Sequence, residues 1–272
     1  MSPVPSSLHP VCLITGASAG IGAALARVFA EHGHALVLTA RREGQLEILA
    51  DEIAARGHTR PVVIAADLGA PDGPARLAAA LTAAGLEPSI VVNNAGFGML
   101  GNAADLAGDS QLAIVDLNVS ALTDLSLRWL EPVTRHRGGI LNVASIAGFL
   151  PGPGMAVYHA SKAYVLSFTE AMHEELKADG VRICALCPGP VDTEFNDRAG
   201  VPHAYFPALL NRSAERVARD GYRGFMEGHR VVVPGGTNRI MTLLPRLLPR
   251  WLILWVLERR WKRVAAGVDD PA

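Results

Sequence analysis

Val11-Cys12-Leu13-Ile14-Thr15-Gly16-Ala17-Ser18-Ala19-Gly20-Ile21-Gly22 lies near the start of the chain, and its reading decides the fold. The first five residues predict a buried strand. The three glycines, followed by apolar positions at helical spacing as far as Gly33, predict a tight turn running directly into a helix. In that arrangement Gly16 permits the turn, Gly20 permits close backbone approach and Gly22 lets the helix pack on the sheet. Free N–H groups at the helix start then face a pyrophosphate. The spacing is G-x-x-x-G-x-G. The same stretch also holds Gly16-Ala17-Ser18-Ala19-Gly20, which has the form of the G-x-S-x-G elbow of serine hydrolases. A hydrolase using Ser18 is therefore a rival reading. It is weakened because several strands precede the elbow in that fold, whereas about fifteen residues, enough for one strand, precede this one.

Outward from the loop, short apolar runs alternate with helix-like segments. Strands are predicted at 11–15, 35–39, 61–66, 90–93, 139–144, 181–186 and 230–233. Helical spacing occupies 21–33, 43–56, 74–85 and 156–180 between them. Near-continuous apolar strands separated by helices imply an α/β fold with a parallel sheet covered on both faces. No linker-like composition shift appears before about Pro234, so one domain is expected over 1–235, with 236–272 as a basic amphipathic extension.

With 272 residues, a net charge of −1 and 50% apolar residues, the composition is globular and gives no global argument for nucleic-acid binding. The first ten residues lack the pattern of a signal peptide, and no uncharged apolar run reaches spanning length, so cytoplasmic residence is the default expectation. Cys184 and Cys187 form a nominal C-x-x-C, but residues three apart on a strand point to opposite faces, so buried thiols are expected rather than a redox or zinc pair. His173-Glu174 lacks the second histidine of H-E-x-x-H, and no metal site is expected.

Only three lysines occur against 22 arginines, and one of them lies in Tyr158-His159-Ala160-Ser161-Lys162. On a helix the phenol and the ammonium share one face. A nearby ammonium favours phenolate, so this spacing predicts a tyrosine shifted below its usual value and able to exchange protons near neutral pH. The second strand ends Leu38-Thr39-Ala40-Arg41-Arg42, with no acid to bind a ribose 2′-OH. Arginines there pair with a 2′-phosphate, which favours NADP over NAD.

Taken together, these features resemble the short-chain dehydrogenase/reductase family over roughly 10–235. The resemblance rests on TGASAGIG at 15–22, Asp67-Leu68, NNAG at 93–96, Asn118 in LNVSA, Ser145, YHASK at 158–162 and PGPVDT at 188–193. It implies a single Rossmann-like, doubly wound domain with a seven-stranded parallel sheet flanked by helices. It also implies an NADP(H)-dependent oxidoreductase moving hydride between nicotinamide and a carbonyl or alcohol. Tyr158 would be the proton donor, Lys162 its modulator, Ser145 the carbonyl-holding hydroxyl, and Asn118 the holder of a water linking Lys162 to solvent. Tyr158 and Lys162 would also contact the cofactor, Lys162 through a hydrogen bond to the nicotinamide ribose. Gly16, Ser18, Ile21 and Gly22 are assigned to the phosphates and adjoining ribose, and Arg41 and Arg42 to the 2′-phosphate. Asp67 and Leu68 would meet adenine, Asn93, Ala95 and Gly96 the adenosine pocket, and Pro188, Gly189, Val191 and Thr193 the nicotinamide. A non-catalytic dinucleotide sensor is the alternative; its expected signature, a degraded catalytic set, is missing here.

An apolar substrate pocket is expected from 194–211 through Phe195, Tyr205, Phe206, Leu209 and Leu210. The resemblance also implies a homodimer or homotetramer joined near 106–130 and 157–176. Beyond it, the segment 239–263 carries seven basic residues and one acid, with three of the four tryptophans. Such a segment either lies in a membrane interface or packs on protein, and it does not span.

Overall fold

The computed structural model describes residues 8–202 and 208–265. Strands β1 His9–Thr15, β2 Leu36–Thr39, β3 Val62–Val63, β4 Leu86–Asn93, β5 Gly139–Val143, β6 Arg182–Leu186 and β7 Val231–Val232 form one sheet in the order β3-β2-β1-β4-β5-β6-β7. Every pair is parallel. Parallel neighbours require crossovers, and helices supply them. In chain order these are α1 Gly20–Glu31, α2 Glu43–Ala55, α3 Gly73–Ala83, α4 Gly108–Val115, α5 Leu122–Arg128, α6 Leu130–Arg135, α7 Ala156–Leu176, α8 Glu194–Ala199 and α9 Ala214–Met226. Two more, α10 Gly236–Leu247 and α11 Arg250–Ala265, follow β7. No helix among the described residues is long and apolar enough to cross a membrane.

Alternation along the strands divides the core in two. Cys12, Ile14, Leu38, Val92, Leu141 and Leu186 face α1, α2 and α9, while Leu13, Val37, Val91, Ile140 and Ile183 face α3, α5, α6 and α7. On the first side Phe29 of α1 is fully buried, with its ring edge-on to Tyr222 of α9 at 4.8 Å between centroids. The chain winds outward from β1 through β2 to β3, then returns to place β4 on the other side of β1. The connections after β1 and β4 therefore diverge, and a crevice opens at the strands' carboxyl ends.

All seven predicted strands are present, with altered limits. β4 begins at Leu86, four residues before the predicted start, although Pro88 cannot donate to a ladder. Proline is tolerated because β5 joins only from Ile90, so at Pro88 the strand has β1 as its single neighbour. Glu87, also outside the predicted strand, is buried and bonds Arg135 at 2.6 Å and His136 at 2.8 Å. Helix α4 runs into α5 through a π-helical segment, Asp116–Ala121, which contains Asn118.

Truncating Phe29 to Ala removes the ring that joins α1 to α9. The variant is expected to lose about 3–5 kcal/mol of unfolding free energy in urea titrations.

Candidate active site

At the carboxyl ends of the strands lies a cleft of about 550 Å³, lined by the segments that follow β1, β2, β3, β4, β5 and β6. Its floor near β1 is set by Thr15 and Asn94. Thr15 Oγ1 accepts hydrogen bonds from the backbone N–H of Asn94 at 2.9 Å and of Ala95 at 3.0 Å. The Asn94 side-chain amide donates to the carbonyls of Thr15 and Gly16 at 2.9 and 3.1 Å. Gly16 and Gly20 have φ of +65° and +55°, values open to glycine at little cost. A Cβ on Gly22 would stand 2.3 Å from the Gly16 carbonyl oxygen. The loop thus has a shape that side chains would fill, and α1 begins against it.

Arg41 is exposed at the rim of the cleft, while Arg42 is drawn inward. The Arg42 guanidinium donates to Ser18 Oγ at 3.2 Å and pairs with Glu194 at 2.9 Å. A serine nucleophile needs a base that can take its proton. Ser18 instead meets a guanidinium, which has no acceptor. The hydrolase reading has no support in this geometry.

At the opposite end, Ser145 follows β5 and Tyr158 and Lys162 lie one turn apart on α7. The Ser145 hydroxyl donates to the Pro188 carbonyl at 3.5 Å and accepts from the Ala147 N–H at 3.1 Å, and it stands near enough to the Tyr158 phenol to oppose the rise in its pKa. Lys162 is buried. Its Nζ donates to the Val143 carbonyl at 2.8 Å and lies 5.8 Å from the centre of the Tyr158 ring. The predicted lowering of the tyrosine is not met here. Part of its side chain faces the cleft, yet the phenol is enclosed, and burial pushes it up to about 12 against the opposing influence of Ser145. Burial also brings the Lys162 ammonium down to about 8. Each group is moved toward its neutral form because desolvation is the largest influence on it, outweighing that of Ser145 on the phenol.

Of the other predicted residues, Gly16, Ser18, Ile21, Gly22, Asp67, Leu68, Ala95, Gly96, Pro188, Gly189, Val191 and Thr193 all border the cleft. Two do not. Asn93, the last residue of β4, turns its amide into the core, where it donates to Ser126 Oγ at 3.0 Å and Asn142 Oδ1 at 2.9 Å. Its neighbour Asn94 occupies the cleft instead. Asn118 is fully buried behind Gly96, and its carboxamide bonds the backbone N–H and C=O of Phe97 and the Ser161 hydroxyl. A Cβ on Gly96 would meet Asn118 Oδ1 at 2.9 Å and Lys162 Nζ at 3.6 Å, so the asparagine stands close to the lysine without facing the cleft.

The apolar end of the cleft includes Phe195 and Leu210, as expected, whereas Leu209 is 69% exposed and does not line it. Tyr205 and Phe206 lie outside the described residues. Phe97, Ile146, Met155 and His159 also contribute, together with Met241 of α10 and Leu257 and Arg260 of α11. His159 had a visible signal, its place beside Tyr158 in the same motif. Burial lowers its pKa, and its Nδ1 lies 2.9 Å from the Leu150 carbonyl. The contributions of α10 and α11 had no sequence signal, because they depend on contacts between segments far apart in the chain.

A family model described as short chain dehydrogenase matches residues 10–201. Sulfoacetaldehyde reductase 2 of Chromohalobacter salexigens is 35% identical over 220 residues, covering 78% of this chain and 85% of that protein. The oxidoreductase UcpA of Escherichia coli is 36% identical over 186 residues, covering 66% of this chain and 69% of that protein. Among solved structures, a short-chain dehydrogenase from Sphingobium yanoikuyae in complex with NADPH is similar, with a TM-score of 0.77, 29% identity and 97% of each chain covered. The bulky-bulky ketone specific alcohol dehydrogenase of Comamonas testosteroni has a TM-score of 0.73 at 28% identity over 88% of this chain and 92% of that one.

Burying Lys162 has a measurable cost. Its value falls from an ordinary 10.5 to about 8 on folding, so between those limits the unfolded chain binds more protons and stability rises with pH. Below about pH 8 the full cost is present. Lys162→Met is expected to stabilise the nucleotide-free protein at pH 7 by about 2 kcal/mol, allowing for the lost bond to Val143. Urea unfolding at pH 7 and pH 10 checks this: the gain over wild type should shrink at the higher pH, and a constant difference would reject it.

Proposed function

The chain belongs to the short-chain dehydrogenase family, and on that premise we propose that it is an NADP(H)-dependent reductase of hydrophobic ketones or aldehydes, or the dehydrogenase of the corresponding alcohols. One observation carries the reading: a phenol, a hydroxyl and an ammonium converge at the apolar end of a cleft whose other end is a glycine turn. The turn fits a dinucleotide. Its Gly22 position leaves no room for a side chain against the Gly16 carbonyl, and the first turn of α1 presents backbone N–H groups to the same space.

Gly16, Ser18, Ile21 and Gly22 would hold the phosphates of the dinucleotide. Asp67, Leu68, Ala95 and Gly96 would border its adenosine, and Pro188, Gly189, Val191 and Thr193 its nicotinamide. When bound, the nicotinamide supplies or accepts the hydride. The chain's own residues handle the proton and the oxygen. Tyr158, held in its phenol form at neutral pH because burial raises it to about 12, donates its proton to the substrate oxygen. Ser145, standing beside that phenol, places and polarises the same oxygen. Lys162 puts a cation one helical turn away, where negative charge developing on the tyrosine would be stabilised. Asn118 acts as a positioning residue, because its carboxamide ties the strand-end segment at Phe97 to α7 through Ser161.

The preference for NADP over NAD rests on Arg41 and Arg42, with no acid at the end of β2 to compete for the ribose. The apolar character of the substrate rests on Phe97, Ile146, Leu150, Met155, Phe195 and Leu257 around the reacting groups.

Replacing Tyr158 with Phe is expected to lower kcat for ketone reduction by about 10³-fold or more, while NADPH affinity by fluorescence titration stays near wild type. Loss of NADPH binding instead would place the tyrosine in the nucleotide site and reject its proton-donor role. Arg41→Asp should move the ratio of kcat/KM for NADPH over NADH toward NADH by about 10–100-fold. An unchanged ratio would reject the 2′-phosphate assignment.

A further inference from the structure

The last two helices carry an apolar surface that the body of the protein does not cover. On α10, Ile240, Leu243 and Leu247 recur at helical spacing and are 60%, 51% and 79% exposed. On α11, Trp251 and Trp255, one turn apart, are 69% and 46% exposed. The opposite side of α11 packs inward. Ile253 is buried, Leu257 and Arg260 line the cleft, and Trp261 Nε1 donates to Asn102 Oδ1 at 2.7 Å. The outward indoles are therefore not residues awaiting a place in this chain's own core.

Charge selects the occupant of this surface. Residues 239–263 carry seven basic groups and one acid, a local charge of +6, in a chain whose net charge is −1. The remainder therefore stands at −7, by subtraction of +6 from −1. Arg259 lies 3.8 Å over the ring of Trp255, which sets a cation at the border of the apolar surface. Two copies meeting through this face about a two-fold axis would oppose one +6 segment with another. Many acids on the body are already taken by the chain's own arginines, as in Arg60 with Glu47 and Asp51, Arg128 with Asp124 and Arg135 with Glu131. A surface of aliphatic and indole side chains bordered by arginines fits the boundary between lipid headgroups and acyl chains.

We propose that the exposed face of α10 and α11 docks on an anionic lipid bilayer, with Leu247 and Trp251 entering the interface. Docking this way sets one wall of the cleft, formed by Leu257 and Arg260, beside the lipid surface. The charge asymmetry orients the molecule, because the acidic body is repelled by the surface that attracts the helices. α11 spans 16 residues, about 24 Å at 1.5 Å per residue, and lies along the interface instead of crossing it.

Flotation of the full chain with vesicles tests the proposal. Wild type should partition onto vesicles of phosphatidylcholine with phosphatidylglycerol at least tenfold more than onto phosphatidylcholine alone, and 0.5 M NaCl should weaken that binding, both thresholds being roughly those of several screened charges. The double variant Leu247→Glu, Trp251→Glu should lose about tenfold or more of the partitioning while its melting temperature stays near wild type. Equal partitioning of wild type and variant, or none by wild type, overturns the proposal. So does a wild-type dimer in analytical ultracentrifugation that the double variant converts to monomer without any vesicle binding, since the face would then be a subunit interface. NADPH titration of both proteins reports separately on the redox reading, whose failure leaves the docking result intact.

Discussion

One hydroxyl and one side-chain amide keep the ends of β1 and β4 in the arrangement on which the cleft depends. Thr15 Oγ1 receives the N–H groups of Asn94 and Ala95 and itself donates to the Val92 carbonyl at 3.3 Å. Asn94 answers by binding the carbonyls of Thr15 and Gly16. In a parallel sheet the last residues of two neighbouring strands have no ladder partners once their connections diverge. Left buried and unpaired, those backbone groups would be costly. The reciprocal bonds satisfy them, and they fix the direction in which the Gly16 turn leaves the sheet. The absence of a side chain at Gly22, the start of α1 and the position of Ala95 and Gly96 opposite all follow from that direction.

The far end of the cleft is organised by a second polar network beneath it. Asn93 bonds Ser126 and Asn142, Asn142 bonds Thr169 at 2.9 Å, and Thr169 bonds the Val165 carbonyl of α7. These buried groups, in which only the Asn93 Oδ1 acceptor lacks a partner, link β4 and β5 to the helix that carries Tyr158 and Lys162, and so restrict its position relative to Ser145. Directional bonds suit this task better than apolar packing, which tolerates small shifts. The same enclosure explains the opposite displacements of Tyr158 and Lys162. A site dry enough to strengthen the field of an ammonium also makes that ammonium expensive to hold. On the proposed function, the stability lost at Lys162 would be offset by a field on the reacting atoms.

How much of this was legible in the sequence follows from the range of the forces involved. The glycine turn, the seven strands and the Tyr158–Lys162 spacing are local patterns, and each appears in the structure, the strands with altered limits. The choice between Asn93 and Asn94 was not legible, because the two are adjacent and identical, and only the strand's last residue pairing decides which one faces the core. The start of β4 was hidden by Pro88, whose tolerance depends on β5 beginning two residues later. The direction of the Tyr158 shift depended on how completely the fold encloses a phenol, a property of the assembled site and not of a five-residue motif. The wall supplied by α11 was equally hidden, since it depends on α11 folding back so that Trp261 packs against Gly154, where an added Cβ would meet the ring at 2.4 Å, while Leu257 lines the cleft.

The two adjacent arginines after β2 illustrate how the fold divides identical side chains between different tasks. Arg42 joins three segments, since its guanidinium touches Ser18 in the glycine turn and Glu194 at the head of α8 while its own backbone caps α2. Glu194 is shared with Arg198 at 2.8 Å, so its carboxylate is divided between two cations, and all three side chains are partly exposed. A pair of that kind is weak in water and open to competition from a stronger anion. A phosphate bearing more charge than a carboxylate would draw Arg42 away from Glu194 and loosen α8, which borders the substrate end through Phe195. Arg41, exposed at the rim, has no such tie to break and would meet that anion first. On the proposed NADP reading, selectivity for the phosphate would reside mainly in Arg41, while Arg42 would couple occupation of the nucleotide end to the position of α8.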